Sequence, residues 1–146
     1  MHDRIPVGPG LLKGNLDKLS TVHLAGTRCR ECGEVMFGTY STCAHCASDQ
    51  VDPIALSDEG TLWTYTKIYH LPPGQYRGPR NPFEPFGEGL VELPEGVRVI
   101  SVLDCDIDKI QIGMKLKFAP YVLYENENED EVVAWKFKAV EEEAQK

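Results

Sequence analysis

The sequence has no apolar run of 18 residues, so a transmembrane helix is not expected. Its first residues, MHDRIPVGPGLLKG, lack a basic region followed by an apolar stretch. A secretory signal is therefore not expected either, and the predicted location is the cytoplasm. The 146 residues suit one ordinary domain or two small ones, and a hydrophobic fraction of 42% is enough for a modest core.

Positive charge is also scarce. The chain carries 15 lysine and arginine residues against 23 acids, a formal net charge of -8, and it has no stripe rich in lysine or arginine. An acidic protein repels phosphate backbones, which argues against non-specific binding to nucleic acid. The charge leaves room for one local basic pocket that binds a small phosphorylated ligand.

Cysteine occurs five times, an odd number that fits poorly with a secreted disulfide framework. Two Cys-x-x-Cys pairs lie ten residues apart, and in a reducing compartment this spacing points to a metal site rather than to disulfides. Zinc binds four thiolates in a tetrahedron, and iron can occupy the same sulfurs. The predicted ligands are Cys29, Cys32, Cys43 and Cys46.

Four cysteine ligands fill the coordination sphere, so the predicted metal is structural and not catalytic. It would stabilise a segment that is too small to bury a core of its own. Gly33, directly after Cys32, allows the tight backbone of such a knuckle, and His45 lies inside the second knuckle. The motif therefore predicts a structural element and does not by itself predict an activity.

Short β-strands dominate the rest of the prediction, because β-branched and aromatic residues alternate between turn signals. We predict a mainly β fold: a short N-terminal helical segment within LLKGNLDKL, a rubredoxin-like zinc ribbon and a five-stranded OB-fold barrel. The predicted barrel strands are 61–70, 89–93, 97–107, 114–125 and 131–140. The predicted divisions are an N-terminal arm (1–19), the ribbon (20–58), the barrel (59–140) and an acidic tail (141–146).

A long irregular segment, HLPPGQYRGPRNPFEPFG at residues 70–87, interrupts the barrel pattern. Long loops in compact domains are usually functional or disordered, and the aromatic residues here argue against simple disorder. We interpret the segment as a contact surface for a ligand or a partner. The alternative is a loop that packs on its own barrel.

The chain resembles the zinc-ribbon plus OB-fold proteins that accompany thiolases and related acyl-CoA enzymes, a family that includes small subunits of benzoylsuccinyl-CoA thiolase in anaerobic toluene degradation. The resemblance runs from about residue 8 to residue 140 and is carried by RCRECG, CAHC, DEGTLWTYT, EGVRVISVL and DKIQIGMKLKF. The second knuckle departs from the usual pattern, with Ala44 in place of a common proline and Ala47 in place of a common glycine.

This resemblance implies a small subunit that docks on a thiolase-fold partner as a hetero-oligomer and helps to form the site for a CoA thioester. It implies neither a nucleic-acid partner nor a membrane. Guanidinium and ammonium groups can meet phosphates, and aromatic rings can cover an adenine. The candidate CoA-binding residues are Lys67, Tyr76, Arg77, Arg80, Phe83 and Phe86. The alternative for the arginines is a solvated position on the loop.

No catalytic residue is predicted in this chain. Thiolytic cleavage needs a nucleophilic cysteine, a second cysteine and a histidine. Cys105 is the only cysteine outside the two pairs, and Asp104 and Asp106 beside it oppose thiolate formation. The reaction is therefore expected to belong to the partner.

Three other functions stay open. Zinc ribbons and OB barrels also bind nucleic acids. Four thiolates also suit an electron carrier of the rubredoxin type, although that function leaves the barrel unexplained. The chain can also be an independent acyl-CoA-binding protein.

Overall fold

The computed structural model describes residues 3–72 and 82–140, and it is mainly β as predicted. The acidic tail and the loop residues Tyr76, Arg77 and Arg80 lie outside the described residues. The strands are β1 (Arg4–Pro6), β2 (Leu12–Lys13), β3 (His23–Cys29), β4 (Val35–Phe37), β5 (Val51–Ala55), β6 (Glu59–Ile68), β7 (Phe86–Glu92), β8 (Arg98–Asp104), β9 (Lys115–Glu125) and β10 (Glu131–Ala139). Two 3-10 turns lie at Leu19–Thr21 and Ile107–Lys109.

Strands β6 to β10 form a closed barrel with the pairing order β6-β7-β8-β10-β9 and back to β6. All of these pairs are antiparallel except β8 with β10, which is parallel. This is the connectivity of an OB-fold, so the predicted barrel is confirmed. The β6–β7 connection carries the long loop, and the β9–β10 connection is a short turn that leaves β9 at Glu125.

The barrel interior is filled by alternate residues of its strands, as the two-residue period of a strand requires. Phe137, Leu116, Val91 and Val99 are almost completely buried there. The rings of Phe118 and Phe137 meet edge to face with centroids 5.9 Å apart. The same hydrophobic cluster takes in Val22, Leu24 and Leu56, which precede the barrel in the sequence.

Strands β3, β4 and β5 form the ribbon, with β3 in the middle and antiparallel to both neighbours. The ribbon is joined to the barrel by side-chain contacts as well as by the chain. Ser57 donates from its backbone N and from its Oγ to Oε2 of Glu95, over 3.0 and 2.8 Å. The ring of Phe37 in β4 meets the ring of Trp135 in β10 edge to face, with centroids 5.8 Å apart.

The N-terminal segment differs in part from the prediction. Residues Arg4–Pro6 form a sixth strand of the barrel sheet, parallel to β10, which the sequence did not indicate. The helical segment expected within LLKGNLDKL does not form: only its last residue, Leu19, belongs to a 3-10 turn, at Leu19–Thr21, and Leu12–Lys13 pairs with β3 instead. The cause is the backbone of Gly14, whose φ of +118° excludes a right-handed helix at that position.

None of the helices in the described part of the chain has the length and apolar content that crossing a bilayer requires.

Candidate metal centre

Two backbone knuckles with the same hydrogen bonds present the four cysteines. In the first knuckle, Gly33 N donates to the carbonyl of Cys29 over 3.0 Å, and Cys29 N donates to the carbonyl of Glu34 over 2.9 Å. In the second knuckle, Ala47 N donates to the carbonyl of Cys43 over 2.9 Å, and Cys43 N donates to the carbonyl of Ser48 over 2.8 Å. Each Cys-x-x-Cys segment is thereby closed into a tight turn.

The first sulfur of each pair also accepts backbone hydrogen bonds. Cys29 Sγ accepts from the N–H groups of Glu31 and Cys32 at 3.3 and 3.4 Å. Cys43 Sγ accepts from those of His45 and Cys46 at 3.3 and 3.5 Å. Such donors stabilise a thiolate and fix its direction. Cys29 and Cys43 are buried, and the second cysteine of each pair is exposed.

The four sulfurs converge on one point. The Sγ atoms of all four cysteines lie within 4.8 Å of one another, and the pairs Cys29–Cys46 and Cys32–Cys43 are each 3.6 Å apart. A tetrahedron with Zn–S bonds of about 2.3 Å has edges of about 3.8 Å. The cluster therefore has the size and the donor set that a tetrathiolate metal site needs, and all four cysteines are free of disulfides.

The sulfurs cannot all carry a negative charge at this spacing without a cation. The backbone N–H of Cys32, together with that of Glu31, lowers the pKa of Cys29 to about 6. At Cys32 the backbone N–H of Glu34 lowers the pKa, but the partial desolvation of the sulfur by its neighbours and its contacts with the other three sulfurs outweigh this effect and raise the pKa to about 12. A bound divalent ion would remove this conflict, because it favours the thiolate form at every ligand.

The two knuckles differ at the residue that follows the second cysteine. Gly33 has a φ of +82° and Ala47 a φ of +65°, so both lie in the left-handed region. Glycine adopts that region freely, whereas a side chain makes it unfavourable. The departure seen in the sequence at Ala47 thus leaves the turn and its sulfurs in place but introduces backbone strain.

The candidate CoA residues that the structure describes lie at one end of the barrel. Lys67 near the end of β6 is opposite Gly87, and Phe86 at the start of β7 is opposite Ile68. Because neighbouring strand residues point to opposite faces, Lys67 and Phe86 do not share a face of the sheet. The rings of Phe83 and Phe86 meet edge to face with centroids 6.2 Å apart. A role in CoA binding stays a prediction for these three residues and for Tyr76, Arg77 and Arg80.

Cys105 packs against the barrel core and is half-buried. Burial, together with the charges of Asp104 and Asp106, raises the pKa of its thiol. The direction is the one expected from the sequence, and it disfavours a nucleophilic role.

One contact that the sequence did not reveal is a histidine–carboxylate pair. Nδ1 of His23 lies 2.8 Å from Oδ1 of Asp58, between the start of β3 and the residue before β6. The two residues are 35 positions apart, so only the folded ribbon brings them together.

Comparisons with known proteins agree with this architecture. A family model described as the C-terminal OB-fold domain of ChsH2 matches residues 54–120. A DUF35 domain-containing scaffold protein of Methanothermobacter thermautotrophicus is 30% identical over 118 residues, which is 80% of this chain and 84% of that protein. The benzoylsuccinyl-CoA thiolase subunit BbsA of Geobacter metallireducens is 25% identical over 81% of this chain and 75% of its own length.

A solved structure described as the Ltp2-ChsH2(DUF35) aldolase has the same fold. It superimposes with a TM-score of 0.62 and 24% sequence identity, over 80% of this chain and 84% of that chain. A second BbsA subunit, from Thauera aromatica, is 22% identical over 90% of this chain and 86% of its own length.

Proposed function

The chain belongs to the family of DUF35 domain-containing scaffold proteins, and we propose that it is a non-catalytic, zinc-containing subunit that docks on a thiolase-fold partner. In that complex it helps to form the CoA-ester site and supports thiolytic cleavage of an acyl-CoA, with benzoylsuccinyl-CoA as the candidate substrate. The observation that carries the proposal is the similarity to thiolase subunits along most of the chain, 81% in one relative and 90% in another.

The metal centre supports a structural role for this subunit. The candidate ligands are Cys29, Cys32, Cys43 and Cys46, and four sulfurs leave no coordination position for water or substrate. The metal we propose is zinc. It would fix the two knuckles relative to each other, because each knuckle contributes two of the four sulfurs.

The chain's own groups support an assignment of the chemistry to the partner. Thiolysis needs a thiolate nucleophile and an acid/base pair. Four of the five cysteines belong to the cluster, and the raised pKa of Cys105 opposes its ionisation. The ring of His23 is already paired with the carboxylate of Asp58, at 2.8 Å. We therefore assign the reacting groups to the thiolase-fold partner.

Co-purification and turnover test the proposal together. An affinity-tagged full chain would be recovered from native extract, its partner identified by mass spectrometry, and the purified complex analysed for metal. We expect a thiolase-fold polypeptide, one equivalent of zinc per chain, and CoA-dependent cleavage of the acyl-CoA by the complex but not by the tagged chain alone. Turnover of a thioester by the chain alone would overturn the proposal, and so would recovery without any thiolase-fold polypeptide.

The contribution to the CoA site has its own test in the purified complex. We expect Lys67→Ala, and separately Arg77→Ala with Arg80→Ala, to raise KM for the CoA ester several-fold with little change in kcat, because these groups would bind phosphates in the ground state and the transition state alike. Lys18→Ala is the matched control, since Lys18 is exposed and lies in the N-terminal arm. Equal KM values in all variants would end this part of the proposal while leaving the docking role intact.

A further inference from the structure

We propose that the outer wall of the barrel around Ile100 and Glu88 is the surface that binds the partner subunit, and that the partner meets Glu88 with a basic side chain set in an apolar face. The inference rests on the proposed function, since it assumes that a protein partner exists. It adds which surface of this chain is used and what chemistry the partner must supply.

Two shallow grooves run side by side over this wall. One, of about 220 Å³, lies over β6 and β7, and the other, of about 160 Å³, lies between β8, β10 and the N-terminal arm. Ile100 and Glu88 line both grooves, so the two form one continuous surface. We call this surface the wall patch and define it by Glu88 and by apolar residues that line the grooves with it, Val7, Leu90, Ile100 and Val102; threonine and serine residues also line the grooves.

The wall patch exposes more apolar surface than a solvated sheet face needs. Ile100 is 58% exposed and Val7 is 43% exposed. Strand register places Leu90 directly opposite Ile100, and Glu88 directly opposite Val102. Contiguous apolar surface of this kind, rimmed by polar groups, marks protein interfaces more often than single exposed residues do.

The charges around the patch identify the kind of partner. Glu92 pairs with Arg98 at 3.3 Å, and Asp104 pairs with Lys136 at 3.1 Å, so these carboxylates at the ends of the two strands are already neutralised. Glu88, in the centre, has no ion-pair or hydrogen-bond partner among residues 3–72 and 82–140. Covering an unpaired carboxylate with an apolar face is unfavourable, so the surface that covers it must bring a cation.

The same charge argues against the other occupants. In a symmetric dimer built on this patch, the residues that line the grooves would offer Glu88 no cation, because Glu88 itself is the one charged residue among them, and the neighbouring Arg98 and Lys136 are already paired. A phosphate group of CoA or of a nucleic acid would be repelled by the carboxylate. A protein with an isolated lysine or arginine among apolar residues satisfies both features of the patch.

The test measures binding of the purified thiolase-fold partner, identified by its recovery with the wild-type chain, to full-length variants. We expect Ile100→Asp and Glu88→Lys each to weaken binding at least tenfold, and Glu88→Gln to weaken it about three- to tenfold. Ile112→Asp is the matched control, because Ile112 is 65% exposed and lines neither groove. It should bind within about twofold of the wild type.

Each outcome decides the matter. Unchanged circular dichroism and metal content would establish that the variants are folded. Wild-type affinity in Ile100→Asp would show that the wall patch is not the binding surface, while leaving the proposed function in place. Wild-type affinity in Glu88→Gln would show that the partner does not meet Glu88 with a basic group. If sedimentation shows a wild-type homodimer that Ile100→Asp dissociates while partner binding persists, the patch binds a second copy and the inference is wrong. A wild-type chain that recovers no thiolase-fold polypeptide would overturn both proposals.

Discussion

The metal-binding tip of the ribbon and the barrel maintain their structures by different means. The barrel is stabilised by a cluster of almost completely buried apolar side chains that includes Phe137, Leu116 and Val91. Among residues 3–72 and 82–140, the buried cluster at the ribbon tip consists of Cys29, Met36 and Cys43, with Val51 packed against it. Two of those three buried residues are candidate metal ligands. The tip therefore depends on coordination, whereas the barrel depends on hydrophobic burial.

Strand β3, seven residues long, connects the hydrophobic cluster of the barrel with the sulfur cluster of the ribbon tip. It begins beside Val22 and contributes Leu24 to the barrel's hydrophobic cluster, and it ends at Cys29 in the sulfur cluster. A substitution at one end of β3 should consequently destabilise the cluster at that end more than the cluster at the other end.

Removing one metal ligand should have the largest effect. We expect Cys43→Ser to lose the bound metal and to open residues 30–50 to limited proteolysis, while the barrel keeps a cooperative thermal transition. Structural zinc contributes about 10–16 kcal/mol of binding free energy in zinc-finger peptides, far more than the small apolar cluster of this tip can replace. Metal content, proteolytic mapping and near-ultraviolet circular dichroism measure the three effects.

The matched control for that variant is Cys105→Ser, which changes a cysteine outside the cluster. It should retain a full equivalent of metal and an intact ribbon. If Cys43→Ser keeps its metal, or if the whole barrel unfolds when the metal is lost, the separation of the two regions is wrong.

Phe137→Ala tests the barrel in the same way. Phe137 is completely buried and packs against Phe118, so its truncation leaves a cavity and should reduce the free energy of unfolding by about 3–5 kcal/mol. Phe137→Leu is the control, with an expected loss of about 1.5 kcal/mol because more of the volume is kept. Chemical denaturation measures both losses. Release of the metal from folded Phe137→Ala would contradict the independence of the tip.

The two knuckles offer a smaller, reciprocal comparison. We expect Ala47→Gly to stabilise the ribbon tip by about 0.5–1 kcal/mol and Gly33→Ala to destabilise it by a similar amount, since both positions have positive φ. A Cβ at Gly33 would meet no atom within 4 Å, so steric overlap does not complicate the second variant. Metal affinity under competition with a chelator reports each change. Shifts of the same sign in both variants would show that backbone strain is not the cause.

Local sequence patterns predicted the barrel and the cysteine cluster because both depend on short-range signals. The alternation in VRVISVLD corresponds to a strand at Arg98–Asp104, with Val99 and Leu103 buried. The two Cys-x-x-Cys pairs correspond to two knuckles with matching hydrogen bonds. Signals of period two and of fixed ligand spacing are contained within a few residues, so no knowledge of the fold is needed to use them.

The features that the sequence did not reveal depend on distant contacts. Arg4–Pro6 is too short to show a period and is a strand only because β10 offers it an edge. The leucines of LLKGNLDKL have helical spacing, but the pairing of Leu12 with Leu24 and the positive φ of Gly14 override it. Glu88 is one acid among 23 in the sequence, and only the register of β7 with β8 shows that it lies among apolar residues.

The smallest expected effect concerns the one cysteine that belongs to the barrel and not to the ribbon tip. Burial, then Asp104, then Asp106 raise the pKa of Cys105 above the ordinary value of 9.0, so its thiol is protonated at neutral pH. We expect iodoacetamide to modify it more slowly in the folded, metal-loaded protein than in the denatured chain, with the site assigned by mass spectrometry. Its contribution to stability is full below the ordinary thiol pKa and is lost as the pH rises through the raised pKa, because ionisation is easier in the unfolded chain.

Asp106→Asn sharpens this last test. The carboxylate of Asp106 accepts a hydrogen bond from the backbone N of Asp108 at 3.0 Å, and the amide oxygen of asparagine can keep that bond while removing the charge. The modification rate of Cys105 should then increase modestly, since burial, the largest cause of the shift, is unchanged. If iodoacetamide modified Cys105 in the folded wild-type protein as fast as in the denatured chain, the barrel would not protect this cysteine. The barrel would then not differ from the metal-dependent tip by protecting its cysteine through burial.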